Sequence, residues 1–482
     1  MVSKVNVDSG AESEPVNFPL RFEVMGAALA DDGVKYALSS YVDIHGIPKA
    51  KVVPIAHFDR MMRGSELYTG AALDGLGQMP SDDELALVPD PNAVTQLPWR
   101  PEYAWAPGNL TYHEEPWHMC TRGILGKQLE RAASHGLKFN LGIECEIYVV
   151  RRDGNTLCAP NPNDTMDKAA YDVLNALEYG DWWQPIIQYM DQMGWDVHSF
   201  DHEDANGQFE FDFAYSDALT TADRFVLWRL MCKEISRRHG FEATYMAKPY
   251  SDRTGTGAHL NMSMESISTG ENVFKDADDP RGLGLSKLAY QFIGGILSHA
   301  AAVTTFSCPT VNSYKRLIKR GSRTGYTWAP IFACYGGNNR TNMLRVPNLR
   351  PHVDEHGKST GKLDLSSARI ECRVADATMN PYLSAAAILS AGLDGIERDL
   401  DPGDPQQGNL YEVPEDELKA RNVHQLPRTL QEAVAALSAD SYMSASLGKG
   451  IVDAFVELKS NEWWDYHNSI SQWELDQYLT KY

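Results

Sequence analysis

The chain has 482 residues, 43% hydrophobic and 23% charged, enough for a large core and two or three domains. Its net charge of -21 argues against nucleic acid or an anionic membrane as a partner. The 7 cysteines include no C-x-x-C pair and several sit in apolar runs, which suits a reducing cytoplasm.

Residues 1–17 are polar and lack an apolar run, so a mobile tail is expected there rather than a secretory signal. Apolar runs at 34–42 and 48–54, joined through Asp43-Ile44-His45-Gly46, predict a hairpin in a small N-terminal sheet. Residues 68–91 read as a loop followed by a strand at 85–88. The stretch 98–116 is rich in aromatic residues and proline, and the boundary between an N-terminal domain (18–116) and a larger domain (117–482) is placed at its end. Helical spacing through Ile124, Leu125, Leu129 and Ala132 predicts a helix over 120–134.

Residues 141–150, LGIECEIYVV, predict one strand with Glu144 and Glu146 on one face and Ile143, Cys145 and Ile147 on the other. Taken alone, this pattern also fits an exposed edge strand. It recurs, however: QFEFDFA (208–214) puts Glu210 and Asp212 opposite three phenylalanines, and ARIECRVA (368–375) puts Arg369, Glu371 and Arg373 on one face. Carboxylates gathered in one cleft take up protons unless cations join them, and oxygen ligands suit a hard divalent metal. Between these strands a helical pattern covers 165–194, a return strand 195–201, and a turn follows Glu203. A helix is expected over 218–239 with Gly240 as its cap, and MAKPYSDRTGTGAH (246–259) then enters a glycine-rich turn that is not a Walker A loop.

Residues 285–306 predict a single buried helix, too polar for a membrane span. NSYKRLIKR (312–320) reads equally as a solvated helix face or as function, but Arg340, Arg345, Arg369 and Arg373 add guanidinium forks suited to phosphate and carboxylate. Carboxylates for metal plus arginines for oxyanions point to phosphoryl transfer from a metal-bound nucleotide. After Asn380 the chain is expected to be helical, with an interruption at 401–414 and a C-terminal helix pair over 457–482 packed on the core.

Seven segments in one order, GIECEIY, HEDANGQFEF, GTGAHLNMS, FIGGILSHA, PTVNSYKRL, GGNNRTNMLRVP and ARIECRVADATMNPYL, make the chain resemble the glutamine synthetase family along nearly its whole length. The resemblance implies an α+β fold: a small β-grasp-like N-terminal domain, then a large catalytic domain with a curved antiparallel sheet flanked by helices. It implies two or more Mg2+ or Mn2+ ions per site, with Glu146, Glu203 and Glu210 holding the one nearer glutamate and Glu144, His259 and Glu371 the one bound with ATP phosphates. Glutamate binding would involve Glu146, Gly255, His259, Arg316 and Arg373, and the nucleotide would meet Asn261, Ser263, Arg345 and Arg369. Catalytic roles fall by the same resemblance to Arg316, to Arg340 on the transferring phosphoryl group, and to Asp74, which would reach the neighbouring subunit's amine site in a dodecamer of two stacked hexameric rings.

Departures from the family pattern carry as much information. The usual Gly-Tyr-Glu-Ala-Pro flap, whose Glu binds and deprotonates ammonium, is here Gly325-Tyr326-Thr327-Trp328-Ala329-Pro330, so Thr327 and Trp328 join Asp74 in an expected amine pocket. Thr254 replaces the asparagine before the Gly-Thr-Gly turn, Asn261 replaces a histidine, and Tyr411 is expected to be a surface residue rather than a modified one. The chain is thus most similar to the γ-glutamylmethylamide and γ-glutamylanilide synthetase branch, an ATP-dependent ligase of glutamate with an organic amine. Glutamine synthetase using ammonia and a catalytically silent structural relative are the alternatives.

Overall fold

The computed structural model describes residues 18–154 and 156–482, so the expected tail at 1–17 lies outside it. In the first sheet Tyr36–Val42 and Arg100–Tyr112 run parallel at the centre, flanked by antiparallel Pro48–Pro54 on one side and Leu85–Pro89 with Glu66–Tyr68 on the other. The hairpin through Asp43 to Gly46 forms as expected, and the arrangement is β-grasp-like. Arg100–Tyr112, a strand of 13 residues, lies where the sequence predicts only a proline-rich boundary. Its prolines hide the alternation, and a Cβ at Gly108 would come within 2.3 Å of the Val88 carbonyl, so glycine permits the close pairing.

Beyond the first sheet lie a 5-stranded and a 7-stranded, largely antiparallel sheet and a separate 2-stranded ribbon, in keeping with the expected α+β catalytic domain of curved sheet flanked by helices. The predicted strand over 141–150 is two strands, Leu137–Ile143 and Cys145–Asp153, in different sheets. Leu137–Ile143 pairs with Leu260–Ser266, whereas Cys145–Asp153 pairs with Gln208–Phe213. Glu144 stands at the crossing, its N–H donating to the His259 carbonyl at 3.0 Å. The third acidic strand is also shorter than expected: only Ile370–Cys372 is paired, and Arg369 and Arg373 flank it. One pair, Phe332–Gly337 with Asn342–Val346, is parallel.

The apolar backs are well packed. Phe209 and Phe211 are fully buried against Trp182, at ring distances of 5.3 and 5.9 Å, and Phe211 also meets Trp228. Each such side chain contributes about 1.5–3 kcal/mol of burial. The core helix Pro381–Glu397 is capped by Asn380, whose Oδ1 accepts from Tyr382 and Leu383 N–H while its Nδ2 donates to the Asp43 carbonyl of the N-terminal hairpin. One side chain therefore both starts the helix and seats the small sheet on it.

Three helical expectations need correction. The run at 285–306 divides into Lys287–Ser298 and Ala300–Ser307, because His299 between them turns both ring nitrogens to carboxylates of Asp394 and Asp440. Within 165–194 helix begins only at Val173, after Asp172 caps it, and is broken again at Tyr179. At the C-terminus Lys449–Asn468 packs on the core, but Gln472–Tyr478 buries none of its residues. No helix of the described residues is long and apolar enough to cross a membrane.

Candidate active site

The chain passes from one sheet to the other at Glu144, and the acidic residues converge there. Glu146 lies directly across from Glu210, which in turn faces Asp201, while Glu203 sits where Val197–His202 enters its hairpin turn. One ligand atom from each of Glu146, Glu203 and Glu210 falls within 4.8 Å of the others, and the same is true of Glu144, Glu210 and His259. Glu210 is common to both groups. Glu371 is not in either: fully buried, it binds Arg345 at 2.5 Å and Arg373, with His259 Nδ1 at 3.8 Å.

A cavity of about 390 Å³ is lined by Glu144, Glu146, Glu203, Glu210 and His259 together with Gly255, Arg316, Arg340, Arg345, Arg373, Thr327 and Trp328. An adjoining cavity of about 560 Å³ shares Glu144 and is lined by Asn261, Ser263 and Arg369. Arg369 and Arg373, expected on one face, thus serve different cavities, since neither lies within the paired strand.

Charge in this cluster is out of balance. Burial, reinforced by Glu146 and Asp201, pushes Glu203 up to about 8, and burial with Glu144 pushes Asp212 to about 7. Burial, with Glu203 and Glu144, raises Glu210 well above its usual range. Glu144 goes the other way: burial opposes its charge, but the His259 contact at 2.8 Å holds it down to about 2. Carboxylates this crowded bind either protons or cations. Five or more hard oxygen donors with one imidazole fit Mg2+ or Mn2+, so the residues present suit the ions that the resemblance implies.

Cations line the same cavity. Arg316 is buried and donates to the carbonyls of Val374 and Arg373, so it is no solvated helix face. Arg340 makes no hydrogen bond or ion pair among the described residues, and burial together with Arg345 and Arg373 lowers its pKa. Such a guanidinium is matched to an arriving oxyanion.

Glycine is required twice in the Gly-Thr-Gly turn. A Cβ at Gly255 would meet the Ala247 carbonyl at 2.4 Å, and one at Gly257 would meet Glu146 Oε1 at 2.6 Å. The Gly257 N–H donates to Glu146 Oε2 at 2.6 Å, and Thr254 donates to Gln208, which donates to Glu146 in turn. Sequence reasoning missed Gln208, Gly257, Asp201 and Tyr171; alternation back from Glu203 would have found Asp201, but nothing local marks the others.

Trp328 is 43% exposed and lines the cavity, so it is not core. Thr327 is buried with its hydroxyl donating to the Ile318 carbonyl at 2.6 Å. Tyr411 is half-buried rather than on the surface, and its hydroxyl donates to the Ala329 carbonyl at 2.6 Å, beneath the flap. Asp74 lines neither cavity; it is 64% exposed and meets His45 Nε2 at 3.1 Å.

The model of the glutamine synthetase catalytic domain matches residues 118–478. Glutamate–methylamine ligase of Methyloversatilis universalis is 39% identical over 453 residues, covering 94% of this chain and 97% of that protein. Glutamine synthetase of Rhizobium leguminosarum bv. phaseoli is 34% identical over 455 residues, covering 94% and 99%. Among solved structures, a GmaS/ADP complex superposes with a TM-score of 0.84 at 37% identity, over 94% of this chain and 99% of that one.

Proposed function

We propose that this chain, which belongs to the glutamine synthetase family, is an ATP-dependent carbon–nitrogen ligase that joins the γ-carboxylate of glutamate to an organic amine. The γ-carboxylate attacks the γ-phosphate of ATP, ADP leaves, and the amine then displaces phosphate from the γ-glutamyl phosphate. Glu146, Glu203 and Glu210 would hold one divalent ion and Glu144, His259 and Glu371 another. Bound there, the ions supply charge neutralisation and polarise phosphoryl oxygens. Arg316 and Arg373 bind glutamate with Gly255, Arg340 takes the transferring group, and Arg345, Arg369, Asn261 and Ser263 take the nucleotide. Supporting this division, Asn261, Ser263 and Arg369 line one cavity and Gly255, Arg316, Arg340 and Arg373 the other, with Arg345 on the side of the latter.

The observation that carries the amine assignment is the flap, where an exposed indole lines the cavity at the place of the family's acid. An ammonium ion needs acceptors all round to replace its water, whereas Trp328 offers an apolar wall and a π face suited to a carbon substituent. Ammonia is the second reading, favoured by the identity to glutamine synthetases. A silent structural role is disfavoured, because such a role has no need of so costly a set of buried charges.

The domains are 18–116 and 117–482, and the working form is a homo-oligomer of two stacked hexameric rings in the cytoplasm. Exposed apolar side chains at the C-terminus, among them Trp473 and Leu479, support assembly, and seven free cysteines support a reducing compartment. Phosphate release with ATP, glutamate and ammonia, methylamine, isopropylamine or aniline tests the reading. A substituted amine should exceed ammonia in kcat/KM by at least about tenfold, for a gain of roughly 1.4 kcal/mol of apolar contact; ammonia as best substrate overturns it.

A further inference from the structure

Asp164 and His202 are 38 residues apart, and neither side chain retains any exposure to solvent. The Asp164 carboxylate accepts three hydrogen bonds, all from the segment around Glu203: Asn206 Nδ2 at 2.8 Å, Gly207 N at 2.7 Å and His202 Nε2 at 3.1 Å. The other ring nitrogen of His202 donates to the Glu203 carbonyl at 2.8 Å. Both partners of the ring are acceptors, so both nitrogens carry hydrogen and the pair is an imidazolium against a carboxylate. Asn206 Nδ2 also reaches the Met166 carbonyl at 2.9 Å, and the Asp204 N–H holds Glu203 Oε2 at 3.0 Å.

None of Asp164, His202 and Asn206 lines the cavity, whereas Glu203 and Asp204 do. A buried ion pair costs several kcal/mol of desolvation and adds little net stability, so fold alone is a weak reason for it. Its contacts all end on the turn that presents Glu203.

We propose that Asp164 is a positioning residue that, through His202 and the 204–207 turn, fixes the Glu203 carboxylate for a divalent metal ion. The inference rests on the reading of Glu203 as a metal ligand. Partners behind a metal ligand hold its orientation, and losing one typically weakens metal affinity about 10–100-fold.

Mn2+ binding to the full-length oligomer, titrated without substrates by electron paramagnetic resonance, tests it on wild type, Glu203→Ala and Asp164→Asn. Glu203→Ala should weaken one class of Mn2+ sites, and Asp164→Asn should weaken that same class by about tenfold or more while sparing the other. Raising Mn2+ should then restore kcat in Asp164→Asn but not in Glu203→Ala. A folded Asp164→Asn protein with a lower Tm and an unchanged Mn2+ isotherm overturns the proposal and leaves the metal reading standing. An unchanged isotherm in Glu203→Ala overturns both. Should Asp164→Asn fail to fold, Asn206→Ala removes one hydrogen bond to Asp164, together with that side chain's bonds to the Met166 carbonyl and from Arg253; weakening of the same class supports the proposal and no change overturns it.

Discussion

Arg373 joins the flap to the acidic cluster: its Nη2 donates to the Trp328 carbonyl at 3.3 Å while its Nη1 binds Glu371. Trp328 presents that carbonyl from a left-handed backbone, φ 57°. Flap backbone and buried carboxylate therefore share one guanidinium, and the indole position follows from a conformation that only glycine adopts without strain.

An L-residue in this conformation costs about 1–2 kcal/mol relative to glycine. Trp328→Gly should accordingly melt above Trp328→Ala, although both lack the indole. Both should lose the preference for a substituted amine over ammonia to the same extent. Equal Tm values for the two variants would contradict the strain argument, and a retained preference would contradict the wall.

Glu146 faces the cavity, while its neighbour Cys145 is fully buried on the apolar side. Saturating Mn2+ at about 100 times its dissociation constant should stabilise the protein by about 2.7 kcal/mol per bound ion, read as a rise in Tm. Cys145→Ala should lower Tm by the cost of a small cavity yet keep the Mn2+-induced rise. Glu146→Ala should abolish turnover and remove the share of the rise that its own ion contributes. Full wild-type turnover in EDTA would defeat the metal assignment.

Much of this was legible in the residues because it follows from local periodicity. The alternation of Phe209, Phe211 and Phe213 with Glu210 and Asp212 reads out a strand with two unlike faces, and that strand is present. Long-range pairing was not legible. Nothing within 141–150 marks the change of sheet at Glu144, which is set by Leu260 pairing with Ile143 and by Phe211 pairing with Cys145. His299 looks like an ordinary helix residue until Asp394 and Asp440, 95 and 141 residues onward, claim its ring.

That histidine makes stability depend on pH. Burial opposes its charge, but Asp440 at 2.6 Å and Asp394 at 3.0 Å prevail and raise its pKa above the usual 6.5. A raised folded-state pKa means that the contribution is complete below about 6.5 and is lost as pH climbs through the folded value. Asp440, lowered despite burial by its bond to His299, gives the converse limb, lost as pH falls below its ordinary range. Tm measured from pH 5 to 9 should therefore fall more steeply on the alkaline side in wild type than in His299→Gln. Parallel curves would show that the pair contributes nothing.

Asp74 supplies the last prediction, because it lines neither cavity of its own chain. It lies in the N-terminal sheet region, 64% exposed, paired with His45 and lining neither cavity. If it accepts a proton from the attacking amine, it does so across a subunit boundary, and each site needs residues of two chains. Rings built by a heterologous contact then allow complementation. Asp74→Ala and Glu146→Ala should each be inactive as pure oligomers, one lacking the proton acceptor and the other the metal ligand. In rings mixed at equal proportions, roughly a quarter of the sites combine an intact Asp74 from one subunit with an intact Glu146 from the next, since each neighbour is drawn at random around a closed ring. Recovered activity near that fraction is the expected outcome. Exchange must be verified independently, for example by differently tagged subunits eluting together. With exchange proven and activity still absent, the shared site is overturned and Asp74 has no part in a neighbouring subunit's chemistry.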